Sequence, residues 1–479
     1  MPRVAIIGAG MTGILAGIRL LQAGNRNFTI FEKADRLGGT WRENTYPGLT
    51  CDVPSHLYRY SFEPNPDWSQ FQAPGAEILD YFKRVAEKFG VTQYIRYSAE
   101  VTKLRYRSPQ WLLETKSGIE ERFDVVLAAT GFLHHPKYPD IEGRDTFAGE
   151  CFHTARWNHG VSLEGKRVGI VGTGSTAVQV LAGVVDRAAH VDIFQRTAQW
   201  VWPVPNPPYS EEEKAAFRSD PTLLEKSYWK YHHYFTSTFG EAVIGNKAQL
   251  DAIESSCHEY LQSVRDPVLR GKLTPDYKVG CKRLVMSHRF YDDIQKPNVA
   301  LVTESIARIE PRGVRTVDGR LHELDVIALA TGFEAHAYTA PIDVRGVDAV
   351  ALDSVWNQSL EAYRSMAVPG FPNLFVLGGG PHSPIGNFSV IVISEAQIDY
   401  VLKLLGHLAE TGKRTIEPTR EATRRFVEDV RAAMPSTVWA SGCSSWYLDK
   451  QGNPIVWPWG FERFRSEMSA PRLEDYRIA

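Results

Sequence analysis

Val4-Ala-Ile-Ile-Gly-Ala-Gly-Met-Thr-Gly13 sets four apolar residues before glycines at Gly8, Gly10 and Gly13. Ile14 to Gln22 continues with helical periodicity, and Phe28 to Phe31 is apolar again. Strand, glycine turn, helix and strand make a βαβ unit with its glycines where strand becomes helix. The backbone N–H groups of such a turn suit a pyrophosphate. Glu32 ends the second strand, where a carboxylate suits the two ribose hydroxyls of an adenosine.

The unit recurs. Val168-Gly-Ile-Val171 reads as a strand, Gly172-Thr-Gly-Ser-Thr-Ala177 as a turn, Val178 to Val185 as a helix and Val191 to Phe194 as the closing strand. No acid ends that strand; Phe194-Gln-Arg-Thr197 stands there instead. An arginine at this point disfavours a bare ribose and favours a 2′-phosphate. Arg196 therefore points to NADPH rather than NADH, with Lys282 as a candidate second cation. Asp124-Val-Val-Leu-Ala-Ala-Thr-Gly-Phe132 and Asp325-Val-Ile-Ala-Leu-Ala-Thr-Gly-Phe333 each read as a buried strand ending in Ala-Thr-Gly. These repeats predict an α/β chain of two doubly wound, Rossmann-like dinucleotide-binding domains, the second inserted in the first. The first takes residues 1–140 and 336–479, and the second takes 141–202 and 279–335. Residues 203–278 read as a helical insertion that begins with the stiff Pro203 to Pro208. The alternative assigns that stretch to the second domain's helical layer.

A chain of 479 residues has room for these domains. Its 54 basic and 56 acidic residues leave no excess that points to nucleic acid or an anionic membrane. The 5 cysteines are widely spaced, with no Cys-x-x-Cys. That argues against a disulfide framework and a metal site, and for a reducing, cytoplasmic compartment. No apolar run is long enough to span a bilayer, and the chain opens on a strand rather than a signal peptide. A flavin dinucleotide in the first site and NADPH in the second would join hydride donor and acceptor. A disulfide reductase of this design needs a redox cysteine pair, and the sequence shows none. Oxygen or an external acceptor remains.

Gly38-Gly-Thr-Trp-Arg-Glu-Asn-Thr-Tyr-Pro-Gly-Leu-Thr-Cys-Asp52 resembles the long Gly-Gly-x-Trp…Tyr-Pro-Gly…Asp signature of the Baeyer–Villiger monooxygenases. Phe147-Ala-Gly-Glu-Cys-Phe-His-Thr-Ala-Arg-Trp157 resembles their fingerprint, and lies between the two dinucleotide domains as in that family. Relatives that oxidise nitrogen or sulfur carry Tyr or Phe where Trp157 stands. Asn158 departs from the Pro or Asp that usually follows. The resemblance runs from Arg3 to about Trp459.

The resemblance implies that NADPH reduces FAD, that O2 adds to the flavin C4a carbon, and that the peroxyflavin converts a small-molecule ketone to an ester or lactone. Flavin contacts would come from Gly8, Gly10, Thr12, Gly13, Glu32, Thr40, Trp41, Asp52, Tyr58, Val101 and Thr130. The nicotinamide nucleotide would meet Gly172, Thr173, Gly174, Ser175, Thr176, Gln179, Arg196, Thr197, Lys282 and Trp446. Arg283 would be the key cation and Asp52 its carboxylate partner. A guanidinium that stays charged favours a peroxide anion and then an oxyanion. The carboxylate fixes its orientation. His153 reads as a hinge or structural residue rather than a general base. Trp457, Trp459, Phe461 and Phe464 either line a substrate channel or cover the first domain. The competing activities are sulfur or nitrogen oxidation by the same chemistry, and an NADPH–flavin reductase or redox sensor without oxygen insertion.

Overall fold

The computed structural model describes residues 1–479. Two five-stranded parallel sheets organise it. The first runs Leu374–Val376, Val125–Ala128, Val4–Ile7, Phe28–Phe31, Ile95–Arg96. The second runs Val299–Val302, His190–Phe194, Arg167–Val171, Val326–Leu329, Glu150–His153. Val4 lies between Phe28 and Val125, and Val168 lies between Val191 and Val326. Val4–Ile7, Val125–Ala128 and Val326–Leu329 are buried at every position, as expected of parallel strands covered on both faces. The first sheet takes its edge strand Leu374–Val376 from beyond the second sheet, so the second unit is inserted in the first.

Both turns are built alike. Gly8 has φ +100°, and a Cβ there would sit 2.6 Å from the carbonyl oxygen of Ala129. Gly172 has φ +120°, and a Cβ would sit 2.5 Å from that of Ala330. Each opening glycine thus presses on the Ala-Thr-Gly end of the neighbouring strand, which admits no side chain. The helices begin earlier than their periodicity predicts, at Met11 and Ser175, because the last turn residues are themselves helical. Neither helix has a side-chain cap, so its first N–H groups stay open to an acceptor.

The insertion is helical at Glu211–Ser219, Pro221–Ser237, Phe239–Val243, Lys247–Leu261 and Pro267–Lys272. Ser210 and Glu213 form a capping box, and Asp220 caps the next helix before Pro221. Tyr228, Phe235 and Phe239 pack into the core of the first unit, while Leu261, Val264 and Leu273 pack with the second. The insertion therefore bridges the two rather than extending one helical layer. Its ends are pinned by a short parallel pair, Val201 opposite Val285 and Trp202 opposite Met286.

One cysteine expectation is corrected. Cys281 and Cys443 form a disulfide across 162 residues of sequence, with Cα atoms 6.3 Å apart. Cys51, Cys151 and Cys257 are free. Only the fold brings the pair together, so spacing carried no trace of it. No helix is long and apolar enough to cross a membrane.

Candidate active site

The long signature runs between the two units. Tyr46 donates its hydroxyl to Gln179 Oε1 at 2.9 Å, and Gln179 Nε2 donates to the Thr50 carbonyl at 3.1 Å. A Cβ at Gly48 would lie 2.1 Å from the Gln179 carbonyl oxygen, and one at Gly183 would lie 2.5 Å from the Pro47 carbonyl carbon. Pro47-Gly48 is therefore seated on the helix of the second turn. This contact delivers Asp52. Arg283 donates to Asp52 Oδ2 from Nε at 2.9 Å and from Nη2 at 2.5 Å, across 231 residues of sequence. Val285, two residues on, donates its N–H to the Trp200 carbonyl at 3.0 Å and fixes the arginine's backbone. Burial opposes the guanidinium's charge. Asp52 and Tyr447 outweigh it, holding the Arg283 pKa well above its ordinary value. The Arg283 side chain stays 33% exposed and that of Asp52 22%, so the pair has an open side.

On the first-turn side, Ala9 N–H donates to Glu32 Oε2 at 2.8 Å, Ala34 N–H to Oε1 at 2.9 Å and Arg42 Nη1 to Oε1 at 2.9 Å. Glu32 and Arg42 are nearly sealed, at 5% and 7% side-chain exposure. Thr12 shares a hydrogen bond of 3.0 Å with Ser394. Thr40 starts a short helix, and Trp41 donates from Nε1 to the Tyr58 hydroxyl at 3.2 Å. Val101 opens the strand Val101–Arg107 and packs in a core with Ile7 and Phe31. Thr130 donates its hydroxyl to the Tyr338 carbonyl. A Cβ at Gly10 would meet only Gly39, at 3.4 Å from its Cα, and one at Gly131 would meet nothing within 4 Å. An uncapped helix end, that open approach and a held carboxylate fit a dinucleotide.

On the second-turn side a Cβ at Gly174 or Gly332 would likewise meet nothing within 4 Å. Thr173 donates to the Thr197 carbonyl at 2.8 Å. Ser175 begins the helix and Thr176 lies in its first turn. Arg196 is exposed and lies close enough to Lys282 to lower its pKa, after burial and against Asp276. Lys282 sits over the Tyr277 ring at 4.4 Å. Neither cation is in a salt bridge, which suits an incoming phosphate. Trp446 stacks on Phe132 at 5.9 Å, and its carbonyl accepts from His336 Nε2 at 2.8 Å.

His153 is buried. Its Nε2 donates to the Gly332 carbonyl at 3.0 Å and its Nδ1 accepts from Ala155 N–H at 3.1 Å. Burial pushes its pKa down to about 4. Both ring nitrogens are used, so it ties the linker to the second Ala-Thr-Gly end and has no free base. Trp457 and Phe464 are core, while Trp459 and Phe461 are partly buried against it. Sequence reasoning missed Arg42, Tyr447 and the cystine. Arg42 had one faint signal, its place next to Trp41 inside the signature.

Fold and site define a class: a two-dinucleotide protein whose units meet at one arginine–carboxylate pair. The family model described as flavin-binding monooxygenase-like matches residues 1–205. An uncharacterized monooxygenase of Mycobacterium tuberculosis is 46% identical, covering 100% of this chain and 96% of its own. A Baeyer-Villiger monooxygenase of Streptomyces coelicolor is 38% identical, covering 99% and 92%. A crystal structure of OTEMO complexed with FAD and NADP superposes with a TM-score of 0.88 at 30% identity, covering 100% and 99%. The chain belongs to the Baeyer–Villiger monooxygenase family.

Proposed function

We infer that the protein is an NADPH- and O2-dependent monooxygenase that inserts an oxygen atom beside a ketone carbonyl. Bound FAD would supply the centre where electrons from NADPH meet O2 and from which oxygen passes to the ketone. The first turn and Glu32 would hold the adenosine diphosphate half of FAD. The second turn, Arg196 and Lys282 would hold NADPH by its phosphates. Trp446, stacked on Phe132, and Thr130, at the end of the first Ala-Thr-Gly strand, would border the two nucleotides. The observation that carries the reading is the Arg283–Asp52 pair, assembled where the units meet. A guanidinium fixed by a carboxylate stabilises negative charge as it develops on the transferring oxygen and the carbonyl oxygen. A cytoplasmic location, where NADPH is made, would set the Cys281–Cys443 pair in a reducing environment.

The test is Arg283→Ala, assayed on one sample for NADPH consumed, hydrogen peroxide released and ester formed. NADPH oxidation should persist, because hydride transfer needs no guanidinium. Ester formation should fall about a hundredfold to a thousandfold, with hydrogen peroxide taking its place. Arg283→Lys should rescue poorly, because an ammonium lacks the planar fork. Normal ester per NADPH in the Ala variant removes Arg283 from the reaction. Sulfoxide from thioethers with no ester from any ketone overturns the activity itself.

A further inference from the structure

Asp52 is not the only group that holds Arg283. Cys281, two residues before it, is bonded to Cys443. From Cys443 the chain runs through Trp446 to Tyr447, with no helix or strand before Phe461. Tyr447 is fully buried. Its ring lies 5.7 Å from that of Trp439 and 4.2 Å from that of Trp446. Its hydroxyl has no well-aligned hydrogen-bond partner, and the charge that acts on it most is the Arg283 guanidinium. Five residues therefore link the arginine's backbone segment, through a covalent bond, to a buried phenol whose hydroxyl is unspent.

We propose that Cys443–Tyr447 is a positioning strap for Arg283, locked by the Cys281–Cys443 disulfide and released by its reduction. The strap rests on the reading that Arg283 serves oxygen transfer. Cross-linked, it keeps Tyr447 against a guanidinium that Asp52 engages through one oxygen only. Reduced, this irregular segment is held by side-chain packing and a few hydrogen bonds, chiefly from His336 to the Trp446 carbonyl and from Ile455 N–H to the Tyr447 carbonyl, and segments of that kind open readily. The chemistry balances. Two thiols and one hydrogen peroxide give one disulfide and two waters. A small dithiol reverses the step, itself becoming a disulfide as both cysteines regain protons. Cys443 lines a surface cavity of about 440 Å³ with Trp439, Ser445 and Leu448, which gives both reagents access. Peroxide is what the enzyme releases when oxygen transfer fails, so a loosened strap would be re-locked by its own failure product.

The experiment uses full-length FAD-loaded enzyme, treated with hydrogen peroxide or with dithiothreitol, then desalted. Alkylation in denaturant and peptide mass read the thiols, since Cys281 is fully buried; NADPH, ester and peroxide read the coupling. Oxidised wild type should protect Cys281 and Cys443, and reduction should free both. Reduction should also lower ester per NADPH by about tenfold, short of the roughly hundredfold that misplacing a catalytic group can cost. Cys443→Ser, at a half-buried loop position, should sit at the reduced value and ignore the reductant. Tyr447→Phe should keep the disulfide and the KM for NADPH yet lose coupling, a split that general loosening of the fold does not produce. Equal coupling in oxidised and reduced wild type, or free alkylation of both cysteines after peroxide, overturns the strap. No ester even from oxidised wild type overturns the oxygen-transfer reading and the strap's role with it, and the intact alkylation pattern tells that failure from the first.

Discussion

At the scale of residues, the proposed preference of the second turn for NADPH rests on two cations. Arg196 is exposed and Lys282 is close to it, and neither is spent on a protein carboxylate. A charge-assisted contact to a 2′-phosphate contributes about 1.5 kcal/mol at such an open position, or roughly tenfold in affinity. Arg196→Ala should therefore weaken NADPH about tenfold and leave NADH nearly unchanged. The readout is the ratio of kcat/KM for the two nucleotides, and an unmoved ratio removes Arg196 from phosphate recognition. That proposal starts from the sequence, because an arginine where an acid is usual is a local signal. Arg42 was not legible in that way. Its partnership with Glu32 depends on a turn ten residues long folding back on the first strand pair, and nothing in the intervening residues announces it.

At the scale of elements, Pro47-Gly48 on the helix Ser175–Val184 is one of the contacts that set one unit against the other. A methyl added at Gly183 would meet backbone at 2.5 Å, which no rotamer relieves. Gly183→Ala should cost about 1–3 kcal/mol of stability by overpacking. It should also slow reduction by NADPH at saturating nucleotide, because it shifts the two bound cofactors relative to each other. Stopped-flow reduction and thermal unfolding check both halves; a wild-type reduction rate would mean that the signature loop does not set the register. The strand–turn–helix units were legible because four-residue apolar runs and glycine spacing are local. The order of strands was legible only in part. The return of residues 336–479 to the first domain could be read from the repeats, whereas the bridging role of the insertion required knowing which core Tyr228 and Phe235 enter.

At the scale of the whole molecule, three buried imidazoles set an acid limit. His56, His153 and His382 are held neutral, each with its pKa lowered to about 4, in every case first by burial. Unfolding would return each to its ordinary value of 6.5. Between these values the unfolded chain binds protons that the folded chain refuses, so stability is full above about pH 6.5 and falls as pH drops towards 4. At pH 5 each group removes about 2 kcal/mol. His56 packs against Tyr209 and Phe217, near Arg59, and neither ring nitrogen has a partner. His56→Phe should therefore keep its stability at pH 7 and lose about 2 kcal/mol less than wild type on going to pH 5. Urea unfolding at the two pH values measures this, and identical losses would clear His56. The parallel pair that pins Val201–Trp202 to Val285–Met286 has a further consequence. The chain departs and returns at adjacent points, so whatever lies between is a cassette whose closure is settled at its base. Lengthening such an excursion costs entropy only logarithmically. Descendants of this enzyme can lengthen or trim the excursion while the arginine at the cassette's exit keeps its place, which makes the insertion the natural segment in which the chain can vary without moving Arg283.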